Sequence, residues 1–388
     1  MKILLVSESY WPNYDGGALF ERRLVQDLNR RGLSTSVWAP GSKLSSYTEQ
    51  DGDYTIYREK SLTFFANRGY RVSYWPFWHG REIIKQTQPD VIHIHMASFI
   101  GWSALFWARR YKIPVVATNH FMPENAYLNL TLLKLFKESF SRLCWRYLVW
   151  FHNKADFVTS PTPTAVALLQ RHGLDQAAQA VTNGVDAETF RSGIDTAKVV
   201  KEFSLPQDRP LLLYLGRVDG EKRLDVLIEA MAHIIKQTPA HLVIAGRGKA
   251  ADSLQRQTAE LGLSEDITFT GFVAEADKAA LYNAADSFII TSPAELQSIV
   301  TLEAMACGLP VIAADIAALR ELARPGENGI LLADLEPRVI ASQVIDLLGN
   351  PQRLKSYGAA SRQIVEREHS HEIMLNAYVA IYQKLVIQ

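Results

Sequence analysis

Short uninterrupted apolar runs, separated by stretches of helical spacing, recur along the whole chain. In the first half the runs are Ile3–Val6, Ser36–Ala39, Tyr54–Arg58, Val91–His95, Val115–Thr118 and Phe157–Ser160. A second series comprises Leu211–Leu215, Leu242–Ala245, Ile267–Thr270, Ser287–Thr291, Val311–Ala314 and Gly329–Leu332. A run that does not alternate predicts a strand buried on both faces, as in a parallel sheet covered by helices. The gaps, such as Leu19–Arg31 and Ile100–Tyr111, carry apolar residues at helical spacing. The alternation predicts two α/β domains, each a Rossmann-like, doubly wound parallel sheet, facing each other across a cleft.

The stretch from Arg191 to Arg209 is polar and irregular, so the link is placed there, with domains over 1–195 and 196–369. The remainder, 370–388, is an apolar-periodic helix with Ser370 as its N-cap. A length of 388 residues suits two cores better than one. No internal repeat or low-complexity tract is evident.

Charge changes the picture by its distribution. Lys+Arg and Asp+Glu both total 41, which argues against a general nucleic-acid binder. Yet residues 1–190 hold 21 basic and 16 acidic residues (+5), and the rest hold 20 and 25 (−5). All eight Trp lie between Trp11 and Trp150, so the halves face different partners. Two cysteines, Cys144 and Cys307, in different predicted domains make no disulfide framework and fit a reducing cytosol. The first apolar run is short and ends in polar residues, reading as a strand rather than a signal peptide. No apolar run reaches the roughly 18 residues of a spanning helix. The expected location is cytoplasmic.

The segment from Glu295 to Ile312 carries the strongest chemical signal. A helix from about Ser298 to Cys307 is expected, stopped by Gly308 and Pro310. Its N-terminus faces the loop bearing Glu295 and attracts an anion, while Glu295 and Glu303 can grip hydroxyls. Phosphate flanked by hydroxyls describes a nucleotide sugar. By spacing alone, an amphipathic helix with two solvated glutamates fits equally well. Gly216 and Arg217, followed by Lys222, come after the first strand of the second series and place two cations there. A surface turn is the plain alternative. Asp15-Gly16-Gly17 opens a helix after the first strand, a weak signal that a simple turn also explains. His120 follows Val115–Thr118 at a strand's carboxyl end, where it can polarise a substrate or serve as a cap. His93 and His95 share one face of a strand and read as a buried or cleft-lining pair rather than zinc ligands. Asp51-Gly52-Asp53 reads as a turn.

Together these pieces resemble the GT-B glycosyltransferases, in particular the retaining glycosyltransferase family 4. The matching parts are Gly16-Gly17, His120, Asn183-Gly184-Val185-Asp186, Gly216-Arg217 with Lys222, Gly246-Arg247-Gly248, and Glu295 to Glu303. The resemblance implies a nucleotide-diphosphate sugar donor, with no metal ion and no other cofactor. It places donor-sugar hydroxyls on Glu295 and the ribose on Glu303. The diphosphate falls to Arg217, Lys222 and the amides near Ile299, Val300 and Gly17. The base meets Phe272 and Val273, and His120 lies near the sugar's C6 hydroxyl and the reacting centre. The final helix is expected to cross back to the first domain.

Most members have Gly-Phe-Gly where this chain has Leu296-Gln297-Ser298, and the terminal Ser-Trp pair is Ser370-His371 here. With His-Phe-x-Pro-Glu-Asn from His120 to Asn125, the variant resembles the branch that glucosylates diacylglycerol or sterols. UDP-glucose is the expected donor and a membrane lipid the expected acceptor. Transfer in polysaccharide or soluble-glycoside synthesis is the alternative, and a nucleotide-sugar epimerase or a non-catalytic sensor are more distant ones. Basic residues interleave with aromatics in Arg58–Lys85 and Leu128–Lys154, the latter with Lys134, Lys137, Arg142 and Arg146. That mixture suits an anionic membrane interface, although core helices with basic edges read the same way.

Overall fold

The computed structural model describes residues 1–12, 16–63, 71–123, 137–316 and 318–387. Asp15, Glu124, Asn125 and Lys134 therefore lie outside the described residues. So do parts of both basic-aromatic segments, over 64–70 and 124–136.

The described residues form two compact units, one made of Met1–Pro123 with residues 137–182 and 374–387, the other of Asn183–Ile373. In the first, one sheet contains β1 (Lys2–Val6), β2 (Ser34–Pro40), β3 (Tyr47–Asp51) and β4 (Tyr54–Glu59). A separate hairpin pairs β5 (Ser61–Thr63) with β6 (Arg71–Ser73). The main sheet continues with β7 (Val91–Ile94), β8 (Val115–Thr118), β9 (Phe157–Ser160) and β10 (Ala178–Ala180). Its order is β10-β9-β8-β7-β1-β2-β4-β3, parallel except for the β3–β4 hairpin. Gly52 turns that hairpin at φ +62°, so the Asp51–Asp53 segment is a turn.

The second unit holds β11 (Leu211–Leu215), β12 (His241–Ala245), β13 (Ile267–Gly271), β14 (Ser287–Ile290), β15 (Val311–Ala314) and β16 (Gly329–Leu332). Its order is β13-β12-β11-β14-β15-β16, all parallel. Leu211, Leu213 and Leu215 enter one core, whereas Leu212 and Tyr214 enter the core on the opposite face. That period of two on a fully apolar strand is why the run does not alternate in sequence.

The chain passes between units at Thr182/Asn183, ahead of the polar stretch where the sequence places the link. Val185 N–H donates to the His369 carbonyl at 2.9 Å, His371 N–H donates to Val185 at 3.0 Å, and Phe190 is buried in the second unit's core. Those contacts hold Asn183–Phe190 in the second unit. The polar stretch itself contains a helix, Ala197–Glu202. The last helix spans His371–Ile387, with Ser370 Oγ accepting from Ile373 N–H at 3.4 Å, and its residues from Met374 belong to the first unit.

Candidate active site

In the second unit the strand order reverses between β11 and β14. The loops after these strands flank the crevice where a doubly wound sheet takes its ligand. The loop after β11 closes in a 3₁₀ turn, Gly220–Lys222, that aims Lys222 at the loop after β14. Lys222 Nζ lies 2.6 Å from Glu295 Oε1 and 3.4 Å from Ser292 Oγ. The Thr291 hydroxyl donates to the Lys222 carbonyl at 2.8 Å, tying the two loops together. Arg217 bonds Asp219 at 3.0 Å and contacts Glu221, yet its side chain is 58% exposed and open to an anion. Glu221 itself is buried.

Two glycines make this end possible for a reason other than ligand contact. A Cβ on Gly246 would sit 1.8 Å from the Gly216 carbonyl oxygen, and one on Gly248 would sit 2.1 Å from that of Val218. Gly216 N–H donates to Ala245, and Val218 N–H to Arg247, at 2.9 and 3.0 Å. The glycines of the Gly246-Arg247-Gly248 segment thus let two loop backbones touch.

The helix that follows spans Ile299–Ala306. Ser298 caps it, its Oγ accepting from Thr301 N–H at 3.3 Å. Gly308 at φ +82° ends it, with Gly308 N–H bonding Met305 and Leu309 N–H bonding Ala304. The amides of Ile299 and Val300 make no hydrogen bond among the described residues and lie in the positive end of the helix dipole. Gln297 is turned elsewhere: its Oε1 accepts from Asn183 N–H at 2.7 Å, bracing the inter-glutamate loop against Asn183. Glu303 is 1% exposed, accepts from the Tyr282 hydroxyl at 3.0 Å and lies 3.8 Å from Lys278 Nζ. Burial and the Glu303 carboxylate hold the Tyr282 phenol far above its ordinary range, so it stays a donor. The same two causes raise the Cys307 thiol to about 12. Phe272, exposed after β13, lies 5.5 Å from the Arg247 guanidinium, with Val273 buried beside it.

The first unit has a cavity of about 500 Å³. Gly17 and Glu21 line it from the helix Gly16–Arg30, His95 from the end of β7, and Asn119 and His120 from the end of β8. Leu148 and His152 line it from the helix Lys137–His152. Gly16, exposed, begins the first of these helices. His93 does not line the cavity: the Tyr382 and Thr118 hydroxyls engage its two nitrogens at 2.7 and 2.6 Å. His95 Nδ1 lies 3.1 Å from His120 Nε2. Burial, with the His152 charge next, lowers His120 to about 4, and burial lowers His152 to about 4.

The first unit also exposes large side chains: Trp78 (60%), Phe99 (62%), Phe106 (50%), Leu143 (65%) and Trp150 (47%). Phe77 packs on both Trp78 and Phe106, Trp102 on Trp150, and Lys154 Nζ lies 4.6 Å from the Trp150 ring. Among the described residues no helix is long and apolar enough to cross a membrane.

The sequence reading missed Tyr282, Lys278, Ser292, Glu221 and Glu21. Only Glu221 carried a local signal, sitting between Arg217 and Lys222.

Two family models match, "Glycosyltransferase Family 4" over residues 14–189 and "Glycosyl transferases group 1" over 195–364. The chain is 30% identical over 319 residues to the alpha-monoglucosyldiacylglycerol synthase of Streptococcus pneumoniae, covering 81% of this chain and 71% of that protein. It is 28% identical to the GDP-mannose-dependent alpha-mannosyltransferase of Mycolicibacterium smegmatis, covering 94% and 92%. Among solved structures, a sucrose-phosphate synthase from Thermosynechococcus elongatus matches at a TM-score of 0.82 and 21% identity, covering 99% of each chain. The Anabaena protein HepE in complex with UDP-glucose matches at 0.78 and 20%, covering 99% of this chain and 100% of that one.

Proposed function

This chain belongs to the group 1 glycosyltransferases of the GT-B fold, with a family 4 first half, and we propose that it transfers glucose from UDP-glucose to a membrane-lipid hydroxyl such as that of diacylglycerol. The supporting observation is the grouping of Lys222, Glu295 and the helix N-terminus of Ile299–Ala306 at the switch point of the second sheet. The second unit binds the donor and the first binds the acceptor. Glu295 takes sugar hydroxyls and Glu303 the ribose, while Phe272 and Val273 meet the base.

As the bond from the anomeric carbon to the diphosphate oxygen breaks, an oxocarbenium-like centre forms and negative charge grows on the leaving group. Arg217, Lys222 and the Ile299 and Val300 amides stabilise that charge in place of a metal ion. His120 hydrogen-bonds the sugar at the reacting centre. The acceptor oxygen attacks from the face that the diphosphate leaves, and its proton passes to the departing phosphate, so configuration is retained.

Two observations support a lipid acceptor. The Streptococcus pneumoniae relative is an alpha-monoglucosyldiacylglycerol synthase by name. Exposed Trp150 beside Lys154, and exposed Trp78, Phe99 and Phe106, suit rings at headgroup depth and a cation on lipid phosphate. A donor and acceptor screen read by mass spectrometry, run with and without chelator, tests the reaction. Glucosylated lipid with release of UDP is expected, and an acceptor-independent change in the sugar would point to an epimerase. Flotation with anionic vesicles at low salt tests the surface, and a protein that ignores them has a soluble acceptor.

A further inference from the structure

We infer that His95 is a positioning residue that carries its proton on Nδ1 and thereby fixes His120 as the tautomer presenting an Nδ1–H. His95 Nδ1 and His120 Nε2 are 3.1 Å apart. Burial keeps both rings neutral, holding His120 near 4 and His95 well below its ordinary value. Two neutral imidazoles in contact share one proton between them, so the tautomer of one ring sets that of the other.

Only two arrangements exist. In the first, His95 Nδ1–H donates to His120 Nε2, and the His120 proton resides on Nδ1. In the second, His120 Nε2–H donates to His95 Nδ1, and the His95 proton resides on Nε2. His95 is 1% exposed, and its Nε2 has no hydrogen-bond partner among the described residues. The second arrangement therefore buries an unpaired N–H donor, whereas the first leaves only a lone pair there. An orphaned buried N–H is the costlier and rarer of the two.

The surroundings act in the same direction. Glu21 Oε1, from the helix Gly16–Arg30, lies 4.0 Å from His95 Nδ1 and favours a proton over a lone pair on that atom. The His93 ring lies tilted 4.0 Å from that of His95 but is tied to the Tyr382 and Thr118 hydroxyls. Phe20 closes both His95 and His120 with its ring, at 5.8 and 5.2 Å. His120 Nδ1 makes no hydrogen bond among the described residues, so its proton is available to a hydroxyl bound in the cavity that His120 lines.

The catalytic consequence rests on the proposed contact of His120 with the sugar, but the tautomer can be read without turnover. The full chain labelled with ¹⁵N-histidine is examined at neutral pH by long-range ¹H–¹⁵N correlation, with His120→Gln assigning the signals. The wild type is expected to show His120 protonated on Nδ1. In His95→Phe the His120 proton should move to Nε2, with kcat falling about tenfold and the donor KM nearly unchanged. His95→Asn, whose amide N–H reaches the place of Nδ1, should restore the wild-type pattern and most of the kcat. His95→Asp, an acceptor there, should impose the Nε2–H tautomer, and it decides the matter should the Phe variant fail to fold. His120 protonated on Nε2 in the wild type, or on Nδ1 in the Asp variant, overturns the inference. The expected pattern in a protein with no transferase activity would instead count against the proposed function.

Discussion

Lys222 and Glu295, 73 positions apart in the chain, form a largely enclosed ion pair of 2.6 Å, their side chains 13% and 15% exposed. A diphosphate must compete with Glu295 for the same ammonium. Glu295→Gln removes the competitor, so UDP affinity should hold or rise while sugar transfer falls. Lys222→Met should weaken UDP roughly 10- to 100-fold, as for loss of a charge-assisted contact. Titration calorimetry with UDP on both variants checks this. Equal losses would sink the assignment of separate ligands to the two residues.

Glu303 and Tyr282 should separate a binding role from a structural one. Glu303→Gln keeps an acceptor for the Tyr282 hydroxyl, whereas Glu303→Ala leaves that hydroxyl with the Val300 carbonyl alone. The Ala variant should lose donor affinity well beyond the Gln variant, by about 1–3 kcal/mol. Tyr282→Phe should cost about 1 kcal/mol of stability and change donor affinity little. Equal UDP-glucose affinity in wild type, Ala and Gln would remove Glu303 from the site.

Gly246 and Gly262 share a positive φ, of 136° and 70°, but differ in what surrounds them. A Cβ on Gly246 meets backbone at 1.8 Å, and one on Gly262 meets nothing within 4 Å. Gly262→Ala should therefore cost about 1 kcal/mol, from φ alone. Gly246→Ala should cost several times that, because the loops after β11 and β12 must separate. Denaturant midpoints compare them, and equal costs would refute the backbone-contact explanation.

The buried histidines set an acid limit on stability. His93, near 3, and His152, near 4, titrate in the folded chain far below the roughly 6.5 of an unfolded histidine. Between those values the unfolded state binds the extra protons, so stability is complete above about pH 6.5 and lost as pH falls toward 4. Each contributes a slope of up to about 1.4 kcal/mol per pH unit. Arg324 first, against some burial, holds Glu368 near 2, a contribution that disappears only below about pH 4.5. Denaturation between pH 7 and 4.5 should show the histidine slope, reduced in His93→Gln. A flat profile would contradict it.

Strands buried on both faces were legible because they are written as apolar runs, β11 being Leu-Leu-Leu-Tyr-Leu. The edge strands of the first unit's main sheet were not. Tyr47–Asp51 reads Tyr-Thr-Glu-Gln-Asp, and Ala178–Ala180 is three residues long. Neither has two faces to bury, so neither carries an apolar run. The residue types at the candidate site were visible at strand ends, but Tyr282 and Lys278 left no mark because their partner lies on another helix.

What the sequence determined by itself was local: two series of buried strands, a capped helix stopped at Gly308-Pro310, and charged residues after β11 and β14. Helical spacing, capping and left-handed turns depend on neighbours a few positions away, so they can be read along one line. The tertiary structure alone decided the order of the strands, and with it the switch point that joins Lys222 to Glu295. It also decided that Gln297 braces Asn183 and that His95 touches His120. Those pairs are 25 to 114 residues apart, and sheet order and loop closure, not local preference, bring them together.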